Sequence, residues 1–221
     1  MRRPLVLLHS LSSIIETANE VVRKFDSSVE INHLLDETIW HELRETGELN
    51  PEIRRRVCFY ALIAQEANAG AMLTTCSSLS PCFDIAQQLV DIPLIRLDLP
   101  VIKRAIAIGS NVGLVATAQS TIQPYIDLVG KVAAEKGVKA TPIDLFCANA
   151  LDALKNNEVE KHDQIVIDTI KKGISQAGMD VVVLCQASLH RVLPQLEGSI
   201  DLPLLSALPL AVESALDRIM G

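Results

Sequence analysis

The segment Asp91-Ile92-Pro93-Leu94-Ile95 returns as Asp201-Leu202-Pro203-Leu204-Leu205, an offset of 110 (201 − 91). Ahead of each copy stands an apolar run closed by cysteine. These runs are Leu73-Thr74-Thr75-Cys76 and Val183-Leu184-Cys185, offset by 109 (185 − 76). The opening run of each half ends in a polar residue, His9 and Thr117, offset by 108 (117 − 9). A glycine precedes each cysteine-bearing run, Gly70 and Gly178. Landmarks repeated at so constant an interval predict two similar structural units. The competing explanation is that strand and turn chemistry is repetitive in any β/α chain, and the near-constancy of the offsets argues against it.

Within each half, short apolar runs alternate with longer segments of helical spacing, the pattern of βαβ units. Strands are predicted at Leu5–His9, Val29–His33, Ala71–Cys76, Leu94–Leu97, Gly113–Thr117, Lys139–Asp144, Val181–Cys185 and Leu204–Ala207. Helices are predicted at Ser12–Phe25, Pro51–Asn68, Ser80–Val90, Ala118–Glu135, Glu158–Gln176 and Leu210–Met220. Pro51 suits a helix start, while Gly137 and Gly178 suit positions just past helix ends and Gly70 a helix closure. Hydrophobic residues make up 49% of the chain and aromatics only 3%, so Leu, Ile, Val and Ala must build the core. That bias suits parallel strands buried on both faces. The expected architecture is α/β, with two lobes of roughly four parallel strands flanked by helices and related by pseudo-two-fold symmetry. Lobe 1 takes residues 1–98 and 208–221, lobe 2 takes 99–207, and the active site is expected in the cleft between them.

A net charge of −7 argues against a nucleic-acid partner, since phosphate contacts need clustered Lys and Arg. The basic run Arg54-Arg55-Arg56 reads as a solvated helix face. No apolar run reaches spanning length, and the one before His9 is too short for a signal peptide, so no membrane association and a cytoplasmic location are expected. Five cysteines, an odd number, without a CxxC pair fit a reducing compartment better than disulfides or zinc. No metal is expected. Gly109-Ser110-Asn111-Val112-Gly113 lacks the preceding strand that a phosphate loop needs. The aliphatic richness allows association into a homo-oligomer.

Ligands of open parallel sheets bind beyond the carboxyl ends of the strands, where Cys76 and Cys185 stand before polar turns. Free N–H groups at the start of the following helices favour a thiolate and a bound carboxylate alike. Under pseudo-two-fold symmetry the thiols face each other across a substrate. A thiolate then removes a proton from one face of a carbon and a thiol returns one to the other, inverting its configuration. His9, ending the first strand, is either a structural histidine or a contact for substrate or cysteine.

These residues resemble a known family. Ala71-Met72-Leu73-Thr74-Thr75-Cys76-Ser77-Ser78-Leu79 looks like the first cysteine motif of the aspartate/glutamate/hydantoin racemase superfamily. Val181-Val182-Val183-Leu184-Cys185-Gln186-Ala187-Ser188 takes the place of the second. Asn111-Val112-Gly113-Leu114-Val115-Ala116-Thr117, with Thr121 beyond it, looks like the strand and substrate-facing turn that open the second lobe. The resemblance implies flavodoxin-like lobes and racemisation without pyridoxal phosphate, metal or other cofactor. It implies Cys76 and Cys185 as acid/base residues, with Ser77, Ser78, Thr117, Thr121, Gln186 and Ala187 holding a carboxylate or equivalent carbonyl. His9 and Ser10, standing where the family has an Asp-Ser pair, join them as substrate-binding candidates. The glutamate-specific motifs Cys-Asn-Thr and Cys-Thr-His read here Cys76-Ser77-Ser78 and Cys185-Gln186-Ala187. The departure points to the aspartate or hydantoin branch or to another relative in the superfamily, with an amino acid or hydantoin-like substrate.

Two other functions fit the same chain. One, implied by the same resemblance because the superfamily includes such enzymes, is a cis–trans isomerase of an unsaturated diacid, in which a single cysteine adds covalently. The other is a non-catalytic protein that binds small carboxylates. Cys58, Cys82 and Cys147 read as small core residues. His33, His41 and His162 read as surface or helix-face residues, and His190 as peripheral. Asp98 and Asp144 suit capping and loop roles, and Glu66 a surface position.

Overall fold

The opening run Leu5–His9 forms β1, and every residue of it is buried, as a strand covered on both faces must be. The computed structural model describes residues 2–220, except for the side chains of Lys155 and Ala177. Two compact units emerge, Met1–Pro100 with Leu208–Gly221, and Val101–Ala207.

In the first unit, β1 is followed by α1 (Ile15–Phe25), β2 (Ile31–Leu35), α2 (Glu37–Thr46), α3 (Pro51–Glu66), β3 (Ala71–Thr74), α4 (Ser80–Ala86) and β4 (Leu94–Ile95). The strands are parallel in the order β2-β1-β3-β4, with Leu5 opposite both Ile31 and Ala71. The chain passes into the second unit along α5 (Asp98–Ile108). There β5 (Asn111–Ala116), α6 (Gln119–Glu135), β6 (Thr141–Phe146), α7 (Ala150–Lys155), α8 (Val159–Ala177), β7 (Val181–Leu184), α9 (Leu193–Leu196) and β8 (Leu204–Ser206) follow. This second sheet is parallel in the order β6-β5-β7-β8, which repeats the first. Helix α10 (Ala207–Met220) returns the chain to the first unit. The fold is therefore α/β with two four-stranded parallel sheets, each flanked by helices.

Each unit has its own aliphatic core. Val6, Leu8, Met72, Ile53, Val57 and Phe83 pack in the first. Val115, Val182, Leu184, Val166, Ile170 and Leu189 pack in the second. Among the described residues, no helix is long and apolar enough to cross a membrane.

Several boundaries differ from the sequence expectation for local reasons. Strand β2 begins at Ile31 rather than Val29, because Leu5 N–H already bonds the carbonyl of Glu30 and pairing with β1 starts one residue later. Helix α2 had no predicted counterpart, although its caps were written in the chain. The Asp36 carboxylate accepts from Thr38 N–H at 3.0 Å, and Gly47 closes the helix at φ +72°. Helix α5 was read as the crossover between the halves, and the short helices α7 and α9 had no predicted bounds. Gly70 does not close α3; Asn68 does, at φ +58°, with Ala69 N–H bonded to the carbonyl of Ala64. What Gly70 supplies is closeness, since a Cβ there would sit 3.0 Å from both Arg3 Cβ and Ile219 Cγ1.

Candidate functional site

At the carboxyl edge of the first sheet, β3 runs out into Thr75 and Cys76, and the 3-10 turn Ser77–Leu79 leads into α4. Cys76 is the residue that caps this turn, with extended backbone (φ −101°, ψ 110°). Its own N–H is taken by the Thr74 hydroxyl at 3.1 Å, and its carbonyl accepts from Leu79 N–H at 3.0 Å. The backbone is thereby fixed while the thiol sits among donors. Burial pushes that thiol up from its ordinary value, and the Ser10 hydroxyl with the N–H groups of Leu79 and Ser78 pull it back toward the thiolate. Cys76 is partly exposed, whereas Ser10, Ser77 and Ser78 are buried around it.

His9 ends β1 beside Ser10 and is wholly buried. Its Nδ1 lies 2.9 Å from the Thr75 hydroxyl and its Nε2 lies 2.9 Å from Nδ1 of His33 on β2. Burial, then the neighbouring His33, lower its pKa to about 4, so the ring is neutral. Both ring nitrogens are thus spent inside the first unit. His33 is exposed, as expected, but its ring partner and that of Thr75 become visible only once the order β2-β1-β3 is known.

The carboxyl edge of the second sheet gathers Thr117, Thr121, Cys185, Gln186 and Ala187. Gln186 caps the 3-10 turn Ala187–Val192 with extended backbone (φ −120°, ψ 143°). Its Oε1 accepts from Thr117 N–H at 2.6 Å and from the Thr117 hydroxyl at 3.0 Å. Thr121 is buried in the first turn of α6, and its N–H bonds the carbonyl of Ala118. Cys185 is fully buried, with its S–H directed to the carbonyl of Val183 at 3.5 Å. Arg191 of the same turn bonds the Asp163 carboxylate (Nε–Oδ1 2.9 Å), which lies 2.7 Å from Nδ1 of His162 on α8. His162 is therefore a buried brace and not a helix-face residue. His190 Nδ1 lies 3.1 Å from the Ser206 hydroxyl.

The backbone bonds give the register between the halves directly. Met72 N–H bonds the carbonyl of Pro93, as Val182 N–H bonds that of Pro203. Thr75 N–H bonds the carbonyl of Leu8, as Cys185 N–H bonds that of Val115. Leu79 N–H bonds the carbonyl of Cys76, as Leu189 N–H bonds that of Gln186. The donors of all three pairs shift by 110, one more than the offset between the cysteines. The counterpart of Cys76 is therefore Gln186, and the counterpart of Cys185 is Thr75. Side chains follow the same rule, since the Ser10 hydroxyl serves Cys76 and the Thr117 hydroxyl serves Gln186. The symmetric placement expected of the two thiols is corrected by one residue, which matters because successive residues of an extended strand face opposite ways.

Other candidates resolve plainly. Cys82 and Cys147 are buried, and burial raises each thiol to about 11. Arg54 and Arg55 are exposed, but Arg56 is not merely solvated, since it pairs with Asp36 and Glu42. Asp98 is fully buried and takes Arg96 through both oxygens, at 2.8 and 2.7 Å. Asp144 accepts from Phe146 N–H. Among the described residues, no group of three or more His, Cys, Asp or Glu side chains is placed to hold a metal ion.

No curated protein matches the chain in sequence. Solved structures match it over nearly its full length. The allantoin racemase from Klebsiella pneumoniae superposes with a TM-score of 0.74 at 12% identity, over 99% of this chain and 88% of that one. A glutamate racemase isoform from Bacillus anthracis gives 0.70 at 14%, over 99% and 82%. An aspartate racemase homologue from Pyrococcus horikoshii gives 0.69 at 12%, over 99% and 100%. At such identities the likeness speaks for the fold. The sequence itself matches the family model for Asp/Glu/Hydantoin racemase over residues 46–215, a span that holds both cysteine edges, and the chain therefore belongs to that family.

Proposed function

We propose that this protein is a cofactor-independent racemase or epimerase of an amino acid or hydantoin-like compound, with the Cys76 thiolate removing the proton from the carbon beside a carbonyl group. The observation that carries this reading is the convergence of the Ser10 hydroxyl and the N–H groups of Ser78 and Leu79 on one thiol at a sheet edge. A free thiol titrates near ~8.5, so donors of this kind are what give a thiolate at neutral pH. Proton removal leaves negative charge on the carbonyl oxygen, and fixed hydroxyl and N–H donors stabilise it. Ser77 and Ser78 at the first edge supply such donors, and Thr117, Thr121 and Ala187 are the substrate-binding candidates of the second. Gln186 contributes its amide NH2, because its Oε1 is turned to Thr117. His9 serves the site through Thr75, its ring being already engaged.

In the two-base form of the reaction, the Cys185 thiol returns a proton to the opposite face and inverts the centre. The chemistry asks for neither metal nor pyridoxal phosphate. Five thiols without a disulfide support a reducing, cytoplasmic setting. Solvent deuterium incorporation by NMR, over a panel of amino acids and hydantoins, tests the reading with the native protein, Cys76→Ser and Cys185→Ser. Exchange lost in Cys76→Ser, with inversion that needs both thiols, is the expected result. Absence of exchange across the panel at high enzyme concentration overturns it.

One observation favours a second reading. Gln186 stands where the counterpart of Cys76 belongs, so a single thiol has the sheet-edge position. A cis–trans isomerase of an unsaturated diacid needs no more. The Cys76 sulfur adds to one alkene carbon and the other takes a proton; rotation about the resulting single bond and loss of both restore the alkene. A covalent adduct at Cys76, seen by mass spectrometry and retained in Cys185→Ser, selects this reaction over racemisation.

A further inference from the structure

Side-chain bonds knit the ends of β2, β1 and β3 together, and one direction of donation makes every contact. The Thr75 hydroxyl lies 3.3 Å from the carbonyl of Leu8, which can only accept. That hydroxyl therefore takes its own hydrogen bond from Nδ1–H of His9, 2.9 Å away. A neutral His9 protonated on Nδ1 has a bare Nε2, which accepts from Nδ1–H of His33, again at 2.9 Å. One residue further along each strand end, the Ser10 hydroxyl bonds the Cys76 thiol. His9 and Ser10 thus grip Thr75 and Cys76 as adjacent pairs, and His33 fixes the tautomer of the grip.

The fold does not require this chain of rings. In the second sheet the registered counterparts of His33, His9 and Thr75 are Asp144, Ala116 and Cys185, and the same strand order forms without it. Burying an imidazole costs free energy that an aliphatic side chain at His9 would not. A feature that costs stability and is confined to the half bearing the donor-rich thiol calls for a role at that thiol.

We infer that His33, an exposed residue of the edge strand, is a positioning residue for Cys76: through His9 and Thr75 it keeps the Ser10 hydroxyl on the sulfur and so sets how readily the thiol ionises. The inference rests on Cys76 being the working thiol and holds for either reaction proposed above. Other titratable groups around the relay are few. Cys82 lies close enough to feel the charge of Cys76 and of Cys58. Asp36, whose N–H bonds the carbonyl of His9, has its carboxylate taken up by Thr38, Tyr60 and Arg56. His33 leaves its Nε2 as the basic nitrogen, so a proton arriving there preserves the direction of every bond in the relay.

Alkylation of Cys76 by iodoacetamide, followed by peptide mass spectrometry across neutral and alkaline pH, reads the thiol without any substrate. His33→Leu, which removes the donor, should raise the midpoint of the Cys76 profile by about one pH unit, roughly a tenfold slower reaction at neutral pH. His33→Asn places an N–H near the same point and should restore most of the native rate, a rescue that a merely structural role does not predict. Nitrogen-15 NMR of the native protein should show His9 protonated on Nδ1 and bare on Nε2. A Cys76 profile unmoved in a folded His33→Leu variant overturns the inference, as does the opposite His9 tautomer should that variant fail to fold. Failure of deuterium exchange in the native protein bears on the racemase reading alone, because the alkylation rate does not depend on it.

Discussion

His9 carries the clearest electrostatic signature of any single residue. Its folded pKa of about 4 lies below the ordinary 6.5, with burial the larger cause and His33 the next. Here the unfolded chain binds the proton first. The stability that depends on a neutral His9 is therefore complete above the unfolded value and is lost as pH falls from about 6.5 to about 4. A depression of this size corresponds to roughly 3 kcal/mol at most. Urea midpoints measured at neutral pH and again near the lower limit should show that loss, and His9→Gln should flatten it. The residues of this edge were unevenly legible in the sequence. Cys76, Ser10 and His9 stand at the ends of apolar runs and could be singled out by position. Thr75 and His33 could not, because a residue inside a strand acquires its partner only when the neighbouring strand is chosen. The same gap hid the buried pairing of His162 and Asp163 with Arg191, which comes to them from a distant turn.

Among the elements, the helix starts respond most simply to mutation. Asn50 accepts from Ile53 N–H at 2.8 Å ahead of Pro51, so Asn50→Ala should cost about 1 kcal/mol of stability in chemical denaturation. The entry to β5 is tighter. The Asp180 carboxylate holds the N–H groups of Ser110 and Asn111 at 2.8 and 2.7 Å, and a Cβ on Gly109 would lie 2.2 Å from Asp180 Cβ. Gly109→Ala must displace that carboxylate, and a loss of roughly 1–3 kcal/mol is expected from thermal unfolding. Strands β1, β5 and β7 were read within two residues of their observed ends, since continuous burial leaves a continuous apolar run. Edge strand β2 was displaced because three of its five residues face water and interrupt that run. Helix α2 was missed because its buried stripe, Ile39 and Leu43, spans a single turn, although Asp36 and Gly47 marked both its ends.

At the scale of the whole chain, the period of 110 places an amide where symmetry would put a second thiol. Cys76→Ser should lower deuterium exchange by about 10²–10⁴-fold, the usual worth of a positioned base. In the two-base reaction, Cys185→Ser should leave exchange at the Cys76 face while abolishing inversion, measurable as deuterium in one enantiomer only. Gln186→Cys, which moves a thiol to the registered position, should restore inversion to that variant. The repeat itself was plain in the sequence, but its step was not, because Cys185 and Thr75 occupy equivalent positions with unrelated side chains. The repeated strand order also leaves each sheet the same kind of margins. One margin is a strand of two or three residues, β4 or β8. The other is a strand with broken burial, carrying Asn32 and His33 in β2 and Pro142 and Asp144 in β6. Brief strands, prolines and solvent-facing polar residues offer a poor template to a passing β-segment. A chain this aliphatic is thereby protected from polymerising through its sheet margins.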